Sequence, residues 1–592
     1  MKTVQNLIAA ALVCSLTFTS PNLFGQSMVP VGPPVPAGNQ PSVPQGLVPQ
    51  LSPQGPTNDG VQLGQSYDGI DFLGSNCGCL PPDTNAAVGN NFVVETVNIQ
   101  IRVFDKTTGV VLLDEPLSIF FGAFSGGDPY VVYDDNANRW YVSAFDTTDS
   151  GLFLAVSADG NPLDGFHTFH LTAVGGSPDY EKLGFNKDAI FISFNNFGPG
   201  GGAAATIAAI DKAAALSGTL SYFVSTPKFQ FRAMPPAQMH GDVHGSVEWF
   251  VSTDGNDFNG NTIRVTQMTN YLSSTPTFTY TSLPVTPYQS AVRADQPGGS
   301  VTTFPNTTTT QVHFHSGRLV TAMASSIATD GFVYPKGLYY QIDVNGPKLI
   351  QQGVIDPGPG VAVQMASVAE DRQGNLGFTW MESSNSEYLS MWVGKLANGT
   401  FSSQPAAPGG GFFSANFRIG DYSTIAVDWS DGQTFWAANE YIGPDGFSNI
   451  WRTHITSFTA LFLVNNLVRL DSVSGTFIPP TAGATVNPFA PGRQFDVRAA
   501  FTNTGTQSIC FVTFQVVTLR SASGALPVLL TSAGALIGGE GAFVPAKVTG
   551  ASPNLDVGQQ QSYGFTIGLP TVETFTFFVN VLGEPHNGSC SQ

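Results

Sequence analysis

Ile425-Ala-Val-Asp428-Trp-Ser-Asp-Gly432-Gln-Thr-Phe-Trp436 is an apolar run, an Asp/Ser/Gly turn and then an aromatic run, the pattern of a strand, a tight turn and a second strand. A looser copy is Val131-Val-Tyr-Asp134-Asp-Asn-Ala-Asn-Arg-Trp140, and a third is Ser367-Val-Ala-Glu-Asp371-Arg-Gln-Gly374-Asn-Leu-Gly-Phe-Thr-Trp380. Weaker versions begin near Asn85, Leu183, Val243 and Arg318. A unit of roughly fifty residues, all strand and turn and returning about seven times, points to a β-propeller.

Working outward, the hairpins place units at about 80–125, 126–175, 176–235, 236–300, 301–350, 351–410 and 411–460. Seven sheets of four strands use this length, and radial closure removes most exposed strand edges. Thr/Ser/Pro-rich insertions such as Thr302 to Thr310 blur the third to fifth boundaries, so six or eight blades stay open as counts. Helical periodicity is nearly absent. Even the Ala-rich stretch 203–216 reads as a strand, Thr206 to Ile210, leading into a turn.

After Phe458 the pattern changes to short alternating strands such as Phe495 to Phe501 and Thr574 to Val581, with Asn503-Thr-Gly505 as a turn. About 120 residues of this kind fit an immunoglobulin-like β-sandwich. The expected organisation is all-β: a signal peptide over 1–25, a Pro/Gly/Gln-rich linker over 26–62, a seven-bladed β-propeller over 63–460 and the sandwich over 461–592.

Met1-Lys2 followed by an apolar stretch from Leu7 to Phe18 reads as a secretory signal, with cleavage near Gly25-Gln26-Ser27. Cys14 follows Val13 and precedes apolar residues, which does not suit a lipidation site. No later run is apolar for long enough to be a membrane helix. The expectation is a secreted bacterial protein, extracellular or at the cell surface, with the periplasm as another destination. A net charge of −19 argues against nucleic acid and anionic membranes as partners.

Beyond the signal, Cys77, Cys79, Cys510 and Cys590 form an even set in an oxidising compartment, with three pairings open. The favoured pairs are Cys77–Cys79 and Cys510–Cys590; a redox or metal role for Cys-Gly-Cys is the alternative.

Three landmarks then carry a resemblance: Pro81-Pro-Asp-Thr-Asn85-Ala-Ala-Val-Gly89, Ser177-Pro-Asp-Tyr180-Glu-Lys-Leu-Gly184 and Gly420-Asp-Tyr-Ser423, the last followed by Phe435-Trp436 and Asn439-Glu440-Tyr441. Over about residues 80 to 460 the chain resembles a family of secreted bacterial seven-bladed propeller proteins with sandwich appendages, largely without assigned biochemistry. The resemblance implies fold and export and lends no catalytic residues. Ser430-x-Gly432-x-Thr434-x-Trp436 partly echoes the Asp boxes of sialidase-type six-bladed propellers, which are structural turns.

Several units start with an acid beside Pro or Tyr: Asp83, Asp128, Asp179 and Asp421, with Asp242 as a fifth. A residue just before an innermost strand sits near one mouth of the channel. Carboxylates converging there repel unless a cation or their own turn amides compensate, so the readings are a Ca²⁺ site, an acidic substrate funnel, or five turn caps. His240, Asp242 and His244 alternate, as do His313 and His315, and on strands of adjacent blades they would suit Zn²⁺ or another transition metal. Gly241 and Gly245 make the first segment equally a loop.

A glycosidase needs two carboxylates, and Asp179 or Glu181 paired with Asp421 or Glu440 meets that need in kind. Arg139, Arg232, Arg293, Arg318, Arg372 and Arg418 are too scattered for a sialidase triad. There is no Gly-x-Ser-x-Gly, no His-Glu-x-x-His and no phosphate-binding glycine loop. Trp249, Trp392, Trp429, Trp436 and Trp451 suit sugar stacking or core packing. No cofactor is firmly implied, Ca²⁺ being the one candidate. The leading expectation is non-catalytic recognition or adhesion, with the propeller binding an extracellular glycan or surface protein. The rival is a carbohydrate-active hydrolase or lyase using the channel-mouth carboxylates.

Overall fold

The computed structural model describes residues 50–51 and 61–590, except 123–125, 147–150, 173, 199–202, 228–233, 242, 254–258, 291–292, 304–307, 330–331, 414–417, 445–449, 479–486, 492–493, 522, 524–525 and 571–574. The signal-peptide reading, nearly all of the linker reading and Asp242 therefore lie outside the described residues.

The repeated turn is built by its aspartate. Asp428 Oδ1 accepts from Ser430 N at 3.1 Å and Ser430 Oγ at 2.5 Å, and Asp431 Oδ1 accepts from Gln433 N and Thr434 N at 2.8 and 2.9 Å. Gly432, at φ +73°, takes the left-handed position that lets the chain reverse. Asp371 repeats the device, accepting from Gln373 N and Asn375 N at 2.9 Å with Gly374 at φ +90°. Asp134 does so with Asn136 N and Ala137 N. The spacing of acid, turn and aromatic run is thus the hydrogen-bonding of one hairpin.

Hairpins of this kind extend into antiparallel four-stranded meanders. One holds Asn85–Val88, Phe92–Val97, Gln100–Asp105 and Val111–Pro116; the next holds Gly126–Asp134, Arg139–Asp146, Gly151–Ser157 and Phe166–Leu171. Similar runs begin with Ser177–Phe185, Thr309–His315 and Ala362–Glu370. Glu248–Thr253, Asn259–Thr269 and Thr277–Gln289 form a further meander, preceded by the short strand Ala237–Met239. The stretch 203–216 is a strand, Ala203–Asp211, followed by a one-turn helix, Lys212–Leu216.

The first strands stand side by side in chain order, from Asn85–Val88 round to Thr424–Asp428 and back to Asn85–Val88. Parallel bridges tie three of them together, Phe185 to Gln238 and Ala237–Met239 to Val312–Phe314. Each is enclosed by neighbours on both faces, which is why they read as apolar runs instead of alternating ones. Gly151–Ser157 and Thr434–Tyr441 are buried at every position, whereas the outer strand Val111–Pro116 is largely exposed. The arrangement is propeller-like.

The last sheet takes its outermost strand from the other end of the chain: Gln62–Asp71 pairs antiparallel with Arg452–Thr459, next to Thr434–Tyr441 and Thr424–Asp428. Two C-terminal sheets follow. One orders Phe462–Leu463, Phe575–His586, Ser508–Ser521 and Phe543–Pro545; the other orders Val468–Ile478, Gln494–Asn503, Gln560–Gly568, Val528–Leu530 and Leu536–Gly538. They share a core around Phe514, Tyr563, Phe565 and Val581. Disulfides join Cys77 to Cys79 and Cys510 to Cys590. Among the described residues no helix is long and apolar enough to cross a membrane.

Candidate functional site

The start of each first strand faces one mouth of the ring. Asp83 lies two residues before Asn85–Val88, Asp128 and Asp179 lie within Gly126–Asp134 and Ser177–Phe185, and Asp421 lies three residues before Thr424–Asp428. Register shifts between Gly127 and Tyr130 and between Asp179 and Lys182 bulge two of these strands. Asp128 and Tyr180 take left-handed φ of +49° and +57° at the bulges. A bulge re-aims side chains out of the ladder, and here it turns them toward the axis.

These four carboxyls interact electrostatically, and the chain supplies its own cations. Arg418 grips Asp421 with two bonds, Nε to Oδ1 at 2.8 Å and Nη2 to Oδ2 at 2.5 Å. Lys182 is buried, with Nζ 3.3 Å from the Tyr180 ring centroid, 3.8 Å from that of Tyr422 and 5.8 Å from that of Tyr130. Asp128 Oδ2 accepts from Tyr422 Oη at 2.8 Å, and Asp83 Oδ2 from Asn98 Nδ2 at 2.5 Å. Tyr180 Oη donates to the Asp421 carbonyl at 3.1 Å. Three of the four acids are thus engaged by other side chains of the protein. Among the described residues no group of three or more His, Cys, Asp or Glu is placed to hold a metal ion. Lys182 and Arg418 thus supply positive charge where the sequence reading looked to Ca²⁺.

Burial is the largest influence on every acid here. It raises Asp179 to about 7, with the charges of Asp128 and Asp421 adding to it, and Asp421 to about 6 against the pull of Arg418. Asp83 and Glu181 are pushed well above the carboxylate range, again by burial and then by Asp128. Burial also lowers Lys182 to about 7 although Asp128, Glu181, Asp421 and Asp83 favour its charge. Among the described residues neither Glu181 carboxyl oxygen has a side-chain hydrogen-bond partner. Glu440 Oε2 accepts from Gly420 N at 3.0 Å, and burial raises the carboxyl to about 8.

Further along the axis the strands close. Ala86, Val131, Gln238, Gln311 and Thr424 surround an opening of about 10 Å³, room for about one water. Asn85 Oδ1 accepts from Val131 N and Gln311 Oε1 from Ile425 N, both at 2.8 Å, stitching neighbouring sheets.

The histidines cluster near the other mouth, but as stacked rings. His240 lies 5.7 Å from Trp429 at 14° and 5.9 Å from His313, and His315 lies 4.9 Å from Trp429. His240 Nδ1 meets Asp135 Oδ1 at 2.9 Å. Burial lowers His313 to about 3. His244 packs edge-on to Phe314 instead. Of the expected metal set, His240, His313 and His315 come together around Trp429 while His244 turns to Phe314, and Asp242 lies outside the described residues. Gly241 at φ +69° ends the extended run after His240, so the alternation that would align His244 is broken.

Trp249, Trp436 and Trp451 are buried; Trp392 stacks on Trp380, and Trp429 stacks on His240. The residues that sequence reasoning missed were Lys182 and the Tyr130/Tyr180/Tyr422 cage. Their signal was present: Asp-Pro-Tyr130, Asp-Tyr180 and Asp-Tyr422 repeat one acid–tyrosine step.

No family model matches the chain, and no curated protein matches it. Among solved structures it is similar to a hypothetical selenium-binding protein from Sulfolobus tokodaii, at 13% identity over 60% of this chain and 83% of that one, TM-score 0.36. It is similar to the extracellular domains of Drosophila semaphorin 1b at 7% identity over 68% and 87%, TM-score 0.32. It is similar to the WD40 domain of SCAP from fission yeast at 8% identity over 67% and 95%, TM-score 0.29.

Proposed function

We propose that this chain is a secreted, non-catalytic recognition protein: a seven-bladed propeller with a C-terminal immunoglobulin-like domain that binds an extracellular glycan or surface protein. The closed order of first strands, with Gln62–Asp71 completing the last sheet, supports the blade count. The observation that carries the functional reading is the internal neutralisation of the carboxyl mouth. Asp421 is held by Arg418, Asp128 by Tyr422, Asp83 by Asn98, and Lys182 fills the space between three tyrosines. Acids engaged in this way are held by the chain's own groups instead of being presented as the pair a glycosidic bond needs.

The hydrolase reading keeps one observation in its favour, Asp179 raised to about 7 and only partly covered. Binding to arrays of glycans and of bacterial and host surface proteins, run beside a glycan hydrolysis panel, separates the two. Binding without turnover supports recognition. Turnover that Asp179→Asn abolishes would replace it with the enzyme.

A further inference from the structure

A cleft of about 270 Å³ opens where the first and last propeller-like sheets meet the C-terminal sheets. One wall comes from the hairpin turns at Asn90, Asn91 and Thr107 and from the Asp428–Thr434 turn; the other is apolar, with Leu536, Ile537 and Val548. Its charges are already spent. Lys106 Nζ holds Asp428 Oδ2 at 2.7 Å and the Gly89 carbonyl at 2.9 Å, and Asp431 is committed to Gln433 and Thr434. The amides of Asn90 and Asn91 are exposed and make no hydrogen bond among the described residues. Trp436 also lines the cleft, and its indole N–H has no acceptor among the described residues.

We propose that this cleft binds one neutral sugar residue, a terminal hexose or N-acetylhexosamine, which rests on the reading that the chain recognises glycans. The volume is near the lower bound of ligand pockets, which suits one ring and not an extended oligosaccharide. Free amides that both donate and accept match hydroxyls, while Leu536, Ile537 and Val548 suit the C–H face of a ring or an acetyl methyl. Paired charges give no counter-ion to an anionic or cationic sugar, and the net charge of −19 further disfavours acidic ones.

The test is saturation-transfer NMR and calorimetry on the full chain with glucose, galactose, mannose and N-acetylglucosamine, run beside the glycan array. The double variant Asn90→Ala/Asn91→Ala should weaken both sugar and array binding by about tenfold or more, the loss expected from two hydrogen bonds. Ile537→Trp, which fills the cleft, should abolish binding. Because both asparagines are exposed, the double variant still decides if Ile537→Trp does not fold. Array binding unchanged in both variants would overturn the cleft and leave the recognition reading standing. Silence with every sugar and the whole array would overturn the cleft and the glycan reading together.

Discussion

Lys182 Nζ stands 3.3 Å from the ring centroid of Tyr180, its neighbour but one across a bulged strand. The bulge makes this contact: Tyr180, at φ +57°, turns back over the side chain that follows it. Tyr422, from a segment some 240 residues later, closes the other side. A buried ammonium is tolerated here because aromatic faces and several carboxyls share its charge.

Lys182→Met removes that charge and leaves a similar volume. With Arg418 and Tyr422 left to offset Asp128 and Asp421 without the ammonium, stability at pH 7 should fall by about 3 kcal/mol. The deficit should shrink toward zero at pH 5, where protonated acids need no counter-ion. Urea denaturation at both pH values measures this; an equal loss at both would make Lys182 a packing element only. Ca²⁺ or EDTA should leave the wild-type midpoint unchanged.

A broader pH dependence follows from burial. Asp179 and Glu95 are raised to about 7, Asp371, Glu382 and Glu440 to about 8, Asp421 and Asp431 to about 6. Between its unfolded and folded values each such carboxyl binds more protons folded than unfolded, so stability declines as pH rises through that window. The melting temperature should therefore fall steadily from about pH 5 to pH 8. Above pH 7 Lys182 acts the other way, since the unfolded lysine holds its proton there and the folded one does not. The decline should flatten accordingly. A melting temperature that rises from pH 5 to pH 8 would show these acids to be ionised at little cost.

The sheets were legible because each hairpin is written locally, as in Asp428 to Thr434, where two aspartates each bind amides that follow them. The closing strand was not, since nothing in Gln62–Asp71 records that its partner is Arg452–Thr459 nearly 400 residues away. The same limit governs the site. Asp83, Asp128, Asp179 and Asp421 announce themselves by position, but their neutralisation by Lys182 and Arg418 exists only once four distant segments meet. The alternation of His240 and His244 was misleading for a local reason: one left-handed glycine, Gly241, interrupts the extended run between them.

The late partner of the closing strand gives a direct test. A chain beginning at Ser75 lacks Gln62–Asp71 and exposes the edge of Arg452–Thr459, together with the buried acid Glu95, whose Oε2 accepts from Ile70 N at 2.7 Å. It should aggregate or lose cooperative melting, whereas a chain beginning at Val61 keeps both. Size-exclusion chromatography and circular dichroism of the two chains measure the difference, and equal behaviour would make the strand dispensable.

Cys510–Cys590 closes a loop across 80 residues. Cys510→Ala/Cys590→Ala should lower the stability of the C-terminal sheets by about 4 kcal/mol, mainly by freeing the unfolded chain. Native-state hydrogen exchange would place the loss in Ser508–Ser521 and Phe575–His586, leaving the first sheets protected as before. Uniform loss would instead mean that the two parts unfold as one.

Whether they do depends on Gly64. A Cβ there would lie 2.5 Å from Ser457 Oγ, 2.7 Å from the Phe543 ring and 2.8 Å from the Gly541 carbonyl. The closing strand therefore meets the C-terminal sheets backbone to backbone, with Gly541 at φ +83° forming the opposing turn. Hydrogen bonds flank the contact, Gln515 Nε2 to the Leu63 carbonyl at 2.7 Å and Gln65 Nε2 to the Glu540 carbonyl. Gly64→Val cannot be absorbed by a rotamer change, because one of the three obstacles is main chain. It should cost about 1–3 kcal/mol and part the two halves of the molecule, seen as a longer maximum dimension in small-angle scattering and faster proteolysis after Thr459. It should also erase sugar binding at the cleft beside it, whose lining includes Gly541 and Phe543. An unchanged scattering profile would show that the junction yields without separating.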